Sequence, residues 1–131
     1  MTGSRKQVRI AILDDDASVR TAVGRLLTAA DFLVDQYASF GPFRKALEQA
    51  FPSCLVLDLH MPDMDGIDVM NYLRDSGIRL PIVVVSGHDT PDARELCLGL
   101  GALCFLGKPV DADDLLRAIE NAVMATPSAL Q

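Results

Sequence analysis

The hydrophobic residues of this chain fall into two alternating patterns. Five short apolar runs bounded by polar or turn-forming residues predict strands at 8–13, 32–37, 53–57, 81–85 and 103–106. Apolar residues spaced three or four positions apart predict helices at 19–30, 43–50, 67–77 and 91–100, and a fifth after Asp111. Strands that alternate with helices in this way predict a parallel sheet with helices on both faces and right-handed crossovers.

The third predicted strand ends in a carboxylate. Cys54 to Leu57 are four consecutive apolar residues, as expected for a strand buried on both faces, and Asp58 follows directly. Pro62 and Gly66 then mark a loop. Open parallel sheets bind ligands at the edge where their strands end, so Asp58 is a candidate functional residue. Taken alone, an aspartate at such a place is more often a turn or cap residue.

Polar residues follow three other predicted strands as well. Asp14 and Asp15 come after the first strand, Ser86 after the fourth and Lys108 just after the fifth. Because the carboxyl ends of parallel strands lie along one edge of the sheet, we expect these residues to converge with Asp58. Capping explains any one of these clusters, but not all of them together.

The residue types in this group indicate a phosphoryl chemistry assisted by a metal ion. Two unit charges ~4 Å apart repel by roughly 4 kcal/mol at an effective dielectric of 20, and a hard divalent cation would relieve this among Asp14, Asp15 and Asp58. Mg²⁺ takes oxygen ligands and favours carboxylates together with a phosphate. Asp58 is then the candidate nucleophile, and Lys108 with the metal neutralises charge on the phosphoryl oxygens.

The loop after the fourth strand adds two further features to the candidate site. The Ser86 hydroxyl is able to donate a hydrogen bond to a phosphoryl oxygen. Gly87 has no side chain and leaves room for the phosphoryl group to enter. The sequence therefore predicts a phosphoryl site lined by carboxylates, a hydroxyl and a lysine.

Composition narrows the class of protein. The 131 residues suit one domain, and the net charge of −6 argues against nucleic-acid binding by this chain alone and against an anionic membrane surface. No apolar run approaches the roughly 18 residues of a membrane span, and the N-terminus lacks an apolar signal core, so we expect a cytoplasmic protein. Residues 1–7 are predicted to be a loose tail, and residues 125–131 a frayed terminus or the start of a linker.

Several single residues have structural interpretations. Cys54, Cys97 and Cys104 are odd in number, irregularly spaced and set in apolar segments, which predicts buried free thiols rather than a disulfide or a zinc site. Asp16, directly after the two candidate metal ligands, is interpreted as the N-cap of the first helix, and Asp111 as the N-cap of the last.

The sequence resembles the receiver domains of bacterial two-component response regulators, over residues 8–124. The resemblance rests on the segments 13–16 (Leu-Asp-Asp-Asp), 57–66 (Leu-Asp-Leu-His-Met-Pro-Asp-Met-Asp-Gly), 85–88 (Val-Ser-Gly-His) and 105–109 (Phe-Leu-Gly-Lys-Pro), in this order and spacing. The residues of the last two segments are most similar to those in receivers of the FixJ type. The resemblance implies a single flavodoxin-like (βα)5 domain with strand order 2-1-3-4-5.

The resemblance also implies a role for each site residue. Asp58 is the phosphoacceptor. Asp15 binds Mg²⁺ directly, Asp14 binds it through water or assists, and the backbone carbonyl of His60 completes the metal shell. Lys108 pairs with the phosphate and is followed by a cis Lys108–Pro109 bond, and Ser86 and Phe105 form the switch pair. The phosphorylated switch would alter the face made by helix four, strand five and helix five. The chain would promote only its own phosphorylation and autodephosphorylation, and would not otherwise be an enzyme.

The resemblance also implies the classes of protein with which this chain interacts. The phosphoryl donor is a sensor histidine kinase or a histidine phosphotransfer protein, and the response passes to a downstream protein target or a covalent output domain. A pseudo-receiver acting only as an interaction module and a phosphorelay intermediate remain alternatives. A phosphatase with an aspartate nucleophile is disfavoured, because His60 stands where such enzymes have a second aspartate.

Two further hypotheses concern surfaces. His60 and His88 border the mouth of the site in this family, so they are either ordinary exposed loop residues or modulators of the water that hydrolyses the phosphate. The fourth helix carries Leu96, Leu98 and Leu100, and not all of these fit one buried stripe. They are either scattered surface residues or part of a homodimer or target surface.

Overall fold

The computed structural model describes residues 8–125 of the chain. In this range the strands are β1 (Arg9–Leu13), β2 (Leu33–Tyr37), β3 (Cys54–Leu57), β4 (Ile82–Ser86) and β5 (Cys104–Gly107). The helices are α1 (Ala17–Ala29), α2 (Phe40–Ala46), α3 (Gly66–Asp75), α4 (Pro91–Gly99) and α5 (Ala112–Ala125). The predicted alternation of strand and helix is confirmed.

The five strands form one parallel sheet in the order β2-β1-β3-β4-β5, which confirms the predicted flavodoxin-like topology. The register pairs Leu13 with Leu57, and Leu57 with Val84. Val84 in turn pairs with Phe105. The residues that follow each strand therefore emerge along the same edge of the sheet.

Two hydrophobic cores lie on opposite faces of the sheet, because side chains alternate between the faces along each strand. On one face Leu55, Leu57 and Val84 pack with residues of α2, α3 and α4. On the other face Val56 and Val83 pack with residues of α1 and α5. β3 and β4 are buried along their whole length, which explains their nearly uninterrupted apolar sequences.

The second helix differs from the prediction. It was expected at residues 43–50, but α2 begins at Phe40 and ends at Ala46. Beyond it the chain tightens into turns, in which the N–H of Gln49 donates to the carbonyl of Ala46 at 2.9 Å. The apolar spacing continued through these turns, so the pattern alone did not reveal where the helix ends.

The ends of the other strands and helices differ from the predicted ends by a few residues at most. β4 includes Ser86, and α5 includes Ala125, which the sequence placed in the C-terminal tail. The other predicted tail residues, 1–7 and 126–131, lie outside the described residues. Among residues 8–125, none of the helices combines the length and the apolar character needed to cross a bilayer.

The predicted helix caps are confirmed. The Asp16 carboxylate accepts from the N–H groups of Ser18 and Val19, and the Asp111 carboxylate accepts from that of Asp114. These bonds satisfy amide groups that the first turn of a helix leaves unpaired.

All three cysteines are free, as predicted. Cys54 and Cys97 are buried, and burial raises the pKa of the Cys54 thiol to about 12. The expected burial is wrong for Cys104, which is half-buried. Its strand, β5, is the edge of the sheet and is covered less completely than the central strands.

At Gly66 the start of α3 lies close to the backbone that follows β3, and the N–H of Gly66 donates to the carbonyl of Leu59 at 2.8 Å. A Cβ atom placed there would lie 2.7 Å from the carbonyl oxygen of Asp58 and 2.9 Å from Cα of Leu59. Backbone atoms do not yield easily, so Gly66→Ala is expected to destabilise the fold by about 1–3 kcal/mol in urea unfolding.

Gly41 provides the matched control for this substitution. It lies in α2, and a Cβ atom there would meet no atom within 4 Å. Gly41→Ala should be neutral or stabilise the fold by up to about 1 kcal/mol, because alanine has the higher helix propensity. Equal effects of the two substitutions would contradict the steric explanation.

Candidate functional site

Three carboxylates meet at the edge where the strands end. Asp14 follows β1 and Asp58 follows β3, and both are buried, whereas Asp15 is exposed. One carboxylate oxygen from each lies within 4.8 Å of the other two. The structure thus brings together the three acids that the sequence placed at one site. Their donor atoms are hard oxygens, which fits a magnesium ion.

Asp14 is held in place by bonds to both of its oxygens. Oδ1 accepts from the backbone N–H of Asp16 at 2.9 Å, and Oδ2 accepts from Nζ of Lys108 at 2.9 Å. Its own carbonyl oxygen accepts from the guanidinium of Arg20 on α1 at 2.7 Å. Asp14 is therefore a fixed point of the site, and its side-chain orientation is defined before any ligand arrives.

Lys108 bridges the two buried acids. Its ammonium lies 2.9 Å from Asp14 and 3.4 Å from Asp58. Burial disfavours the charged amine, but the bonds and charges of Asp14 and Asp58 outweigh that effect and raise the pKa of Lys108. The lysine therefore remains a cation. Its backbone N–H donates to the carbonyl of Ser86 at 2.9 Å, and the Lys108–Pro109 bond is cis, as expected.

Asp58 has an unfavourable electrostatic environment. Burial raises the pKa of its carboxyl, and the charge of Asp14 raises it further. Lys108 and the backbone N–H of His60 act in the opposite direction without cancelling the shift. The single positive charge of Lys108 is shared between two buried acids, so the site gains from a further cation close to Asp58.

The fourth and fifth strands bring the remaining candidate residues to the same edge. Ser86 is completely buried, and its Oγ accepts from the backbone N–H of His88 at 3.0 Å. Gly87 is exposed and is open on the side where a Cβ atom would lie. Phe105 is only 2% exposed and belongs to the core beneath α4. Ser86 and Phe105 thus lie on the neighbouring strands β4 and β5, as the switch hypothesis requires.

The two histidines are brought into contact. Their rings pack edge to face with centroids 5.4 Å apart, although His60 follows β3 and His88 follows β4. Both residues are exposed. The contact between the two rings joins the loops that follow β3 and β4, and the sequence did not predict it.

Sequence reasoning missed two arginines. Arg20 donates to the Asp14 carbonyl, and Arg94 on α4 lies over the ring of Phe105, 5.0 Å from its centroid. A charged residue on a helix is usually solvated, and nothing in the local pattern distinguishes these two.

Comparison with known proteins agrees with this geometry. The profile described as "Response regulator receiver domain" matches residues 10–120. The chain belongs to the response regulator receiver domain family. It is 34% identical over 118 residues to the response regulator protein TodT of Pseudomonas putida, covering 90% of this chain and 52% of TodT. It is 37% identical over 122 residues to the transcriptional regulatory protein FixJ of Bradyrhizobium diazoefficiens, covering 92% of this chain and 59% of FixJ.

Solved structures of receivers superpose closely. The structure named FixJ-N matches with a TM-score of 0.85 at 30% identity, covering 93% of this chain and 98% of that one. The beryllofluoride-activated receiver dimer of NtrC4 matches with a TM-score of 0.83 at 25% identity, covering 88% and 96%. This receiver spans about half the length of the curated relatives TodT and FixJ.

The burial of Asp58 predicts that the receiver is more stable without the charge of this side chain. Burial raises the pKa of the Asp58 carboxyl most, the charge of Asp14 raises it further, and Lys108 opposes these two effects without cancelling them. In the absence of divalent cations, Asp58→Asn should therefore stabilise the fold by about 1–2 kcal/mol and raise Tm by several degrees. Thermal melts of both proteins in a chelating buffer measure this.

The sign of the pH dependence follows from the raised pKa of Asp58. Folding favours its protonated form, so the destabilisation is largest above the raised pKa and is lost as the pH falls from that pKa towards the ordinary pKa of an aspartate. The difference in Tm between wild type and Asp58→Asn should therefore shrink towards acid. Asp63→Asn, at an exposed position of the same loop, is the control. A lower Tm for Asp58→Asn at neutral pH would contradict this account.

Proposed function

We propose that this receiver is a phosphorylation-controlled signalling switch in which Asp58 accepts the phosphoryl group. The observation that carries the proposal is the meeting of Asp58 with Asp14, Asp15 and Lys108 at the carboxyl edge of the sheet. Family membership supports the same function.

In the proposed transfer, an Asp58 oxygen attacks the phosphorus of a phosphohistidine. The new O–P bond forms as the P–N bond breaks, and the electron pair of that bond returns to the donor imidazole. A magnesium ion held by Asp14, Asp15, Asp58 and the backbone carbonyl of His60 would supply positive charge next to the phosphoryl oxygens. Lys108 exchanges its 3.4 Å contact with Asp58 for a bond to the incoming phosphate.

The response begins at Ser86. Its hydroxyl turns from the His88 amide to a phosphoryl oxygen, and Phe105 occupies the space beneath it. The contacts made by phosphate thereby favour one of two arrangements of the face formed by α4, β5 and α5. Autodephosphorylation then returns the switch to its resting state.

The partners follow from this chemistry. A sensor histidine kinase or a histidine phosphotransfer protein donates the phosphoryl group. A downstream protein target or a covalent output domain receives the signal, in keeping with relatives about twice as long as this chain. A phosphorelay intermediate uses the same site. A pseudo-receiver does not, and it gains nothing from the unfavourable burial of Asp58.

The direct test is covalent labelling by acetyl phosphate with Mg²⁺. The intact mass of the wild-type receiver should rise by one phosphoryl group, and Asp58→Asn should show no adduct. Lys108→Ala should lose most of the labelling, because removing an electrostatic stabiliser of such a transfer typically costs on the order of 10²–10³ in rate.

Two controls make the result interpretable. Omission of Mg²⁺ with a chelator should abolish the adduct, and Asp63→Asn should leave it unchanged. Absence of any adduct on the folded wild type in Mg²⁺ would favour the pseudo-receiver alternative.

We further propose that His60 and His88 modulate hydrolysis of the aspartyl phosphate, since their rings pack together and each lies two residues after a site residue, Asp58 or Ser86. Their side chains would restrict the approach of water. The double substitution His60→Asn and His88→Ala should then change the dephosphorylation rate by several-fold, measured as loss of the adduct after removal of the donor. An unchanged rate returns both histidines to ordinary surface residues.

The surface near α4 supports a proposal of phosphorylation-dependent self-association. Leu96 and Leu98 on α4 are 50% and 47% exposed, and Leu103 just before β5 is 52% exposed. The related NtrC4 receiver is a dimer when activated by beryllofluoride. Sedimentation should show an increase in mass on phosphorylation that Leu96→Ser weakens. Phe51→Ser, at a 52% exposed residue outside α4 and β5, is the matched control. A mass that never changes contradicts the dimer.

A further inference from the structure

Arg94 joins three elements of the receiver through one side chain. Its guanidinium carbon lies 5.0 Å from the centroid of the Phe105 ring. One terminal nitrogen donates to the Phe105 carbonyl at 3.0 Å. Nε and the other terminal nitrogen donate to the two carboxylate oxygens of Asp89 at 3.3 and 2.9 Å. The guanidinium therefore contacts both the ring and the backbone of a single residue on β5.

Asp89 extends this connection towards the candidate phosphoryl site. It belongs to the loop between β4 and α4, three residues after Ser86, and its side chain packs against Gly107 of β5. A Cβ atom at position 107 would lie 2.7 Å from the Asp89 carboxylate. Gly107 pairs with Ser86 in the sheet and directly precedes Lys108. Asp89 thus braces the loop that follows Ser86 against the strand that leads to Lys108.

The ion pair between Arg94 and Asp89 is not the strongest of the contacts that Arg94 makes. Arg94 and Asp89 are 45% and 40% exposed, and an isolated pair at such exposure contributes little. The bond from a charged donor to the Phe105 carbonyl and the contact with the aromatic ring are stronger and depend on geometry. Both are made with Phe105 in its buried position, and Asp89 aligns the planar guanidinium to make them.

We propose that Arg94, aligned by Asp89, is a positioning residue that holds Phe105 in its buried state and so sets how strongly events at Asp58 are transmitted to α4. The inference rests on the proposed function in one respect, that Ser86 and Phe105 act as one switch. Loss of the guanidinium lowers the fraction of molecules with a buried Phe105. The apparent affinity for a phosphoryl group then falls in proportion to that fraction.

Fluorine NMR of protein labelled with 4-fluorophenylalanine tests the first step. The chain has five phenylalanines, so Phe105→Leu assigns the resonance of Phe105. In wild type this resonance should not move between H₂O and D₂O, because the ring is shielded. In Arg94→Gln it should move, which reports exposure of the ring. Arg94→Lys should fall between the two, since it keeps the charge but loses the planar donor fork.

The control is Arg74→Gln. Arg74 is an exposed arginine on α3 that bonds Asn71 and contacts Asp75, so its loss removes a comparable charge and surface ion pair. In the Arg74→Gln variant, the resonance of Phe105 should match that of wild type. If Arg94→Gln fails to fold, Asp89→Asn takes its place, because it removes the alignment of the guanidinium while leaving Arg94 intact.

Binding of beryllofluoride in the presence of Mg²⁺ tests the second step. The apparent affinity should fall about threefold to tenfold in Arg94→Gln and remain unchanged in Arg74→Gln. Saturating beryllofluoride should return the Phe105 ring to its shielded state. A shielded ring together with unchanged affinity in Arg94→Gln overturns the inference, as does a loss of folding stability without any exposure of the ring.

The two proposals fail in distinguishable ways. If beryllofluoride binds neither wild type nor Arg94→Gln, the phosphoacceptor role of Asp58 fails. The fluorine measurement on the free protein then still decides whether Arg94 holds Phe105, because it requires no phosphoryl chemistry.

Discussion

The contact on which the rest of the site depends is the bridge from Lys108 to Asp14 and Asp58. One ammonium lies between two buried carboxylates, and Asp15 adds a third acid nearby. The arrangement satisfies Asp14 more fully than Asp58, because Lys108 lies 2.9 Å from Asp14 and 3.4 Å from Asp58, while each acid has one backbone N–H bond. Asp58 is therefore the acid whose charge is the less well balanced, and in the proposed function it is the acid that accepts the phosphoryl group.

The parallel sheet makes this concentration of charge possible. The site residues emerge at the carboxyl ends of four strands, β1, β3, β4 and β5, and the register aligns those ends without help from the loops. The two hydrophobic cores on either face stabilise the strands strongly enough to hold acids that repel one another. The hydrophobic cores thus stabilise the fold, whereas the repulsion among the acids at the carboxyl ends of the strands destabilises it.

The fold and the acids of the site were predictable because they depend on local rules. Strand and helix patterns determine the topology, and the topology alone brings Asp14, Asp15 and Asp58 together. The end of α2 was not predictable, because its apolar spacing continues into turns. The half-burial of Cys104 depends on β5 being an edge strand. The contact of Arg94 with Phe105 joins a helix surface to a strand eleven residues away, and no sequence pattern records that distance.

The contacts missed in the sequence have a common character. Each of the two missed arginines lies on a helix and donates to a backbone carbonyl, Arg20 to that of Asp14 directly after β1 and Arg94 to that of Phe105 in β5. Arg20 fixes the end of β1, whereas Arg94 fixes β5 beside the residue expected to move. A backbone carbonyl is the same in every sequence, so such contacts depend only on the arginine and the fold. They allow the surface helices to influence the site without contributing any group that reacts there.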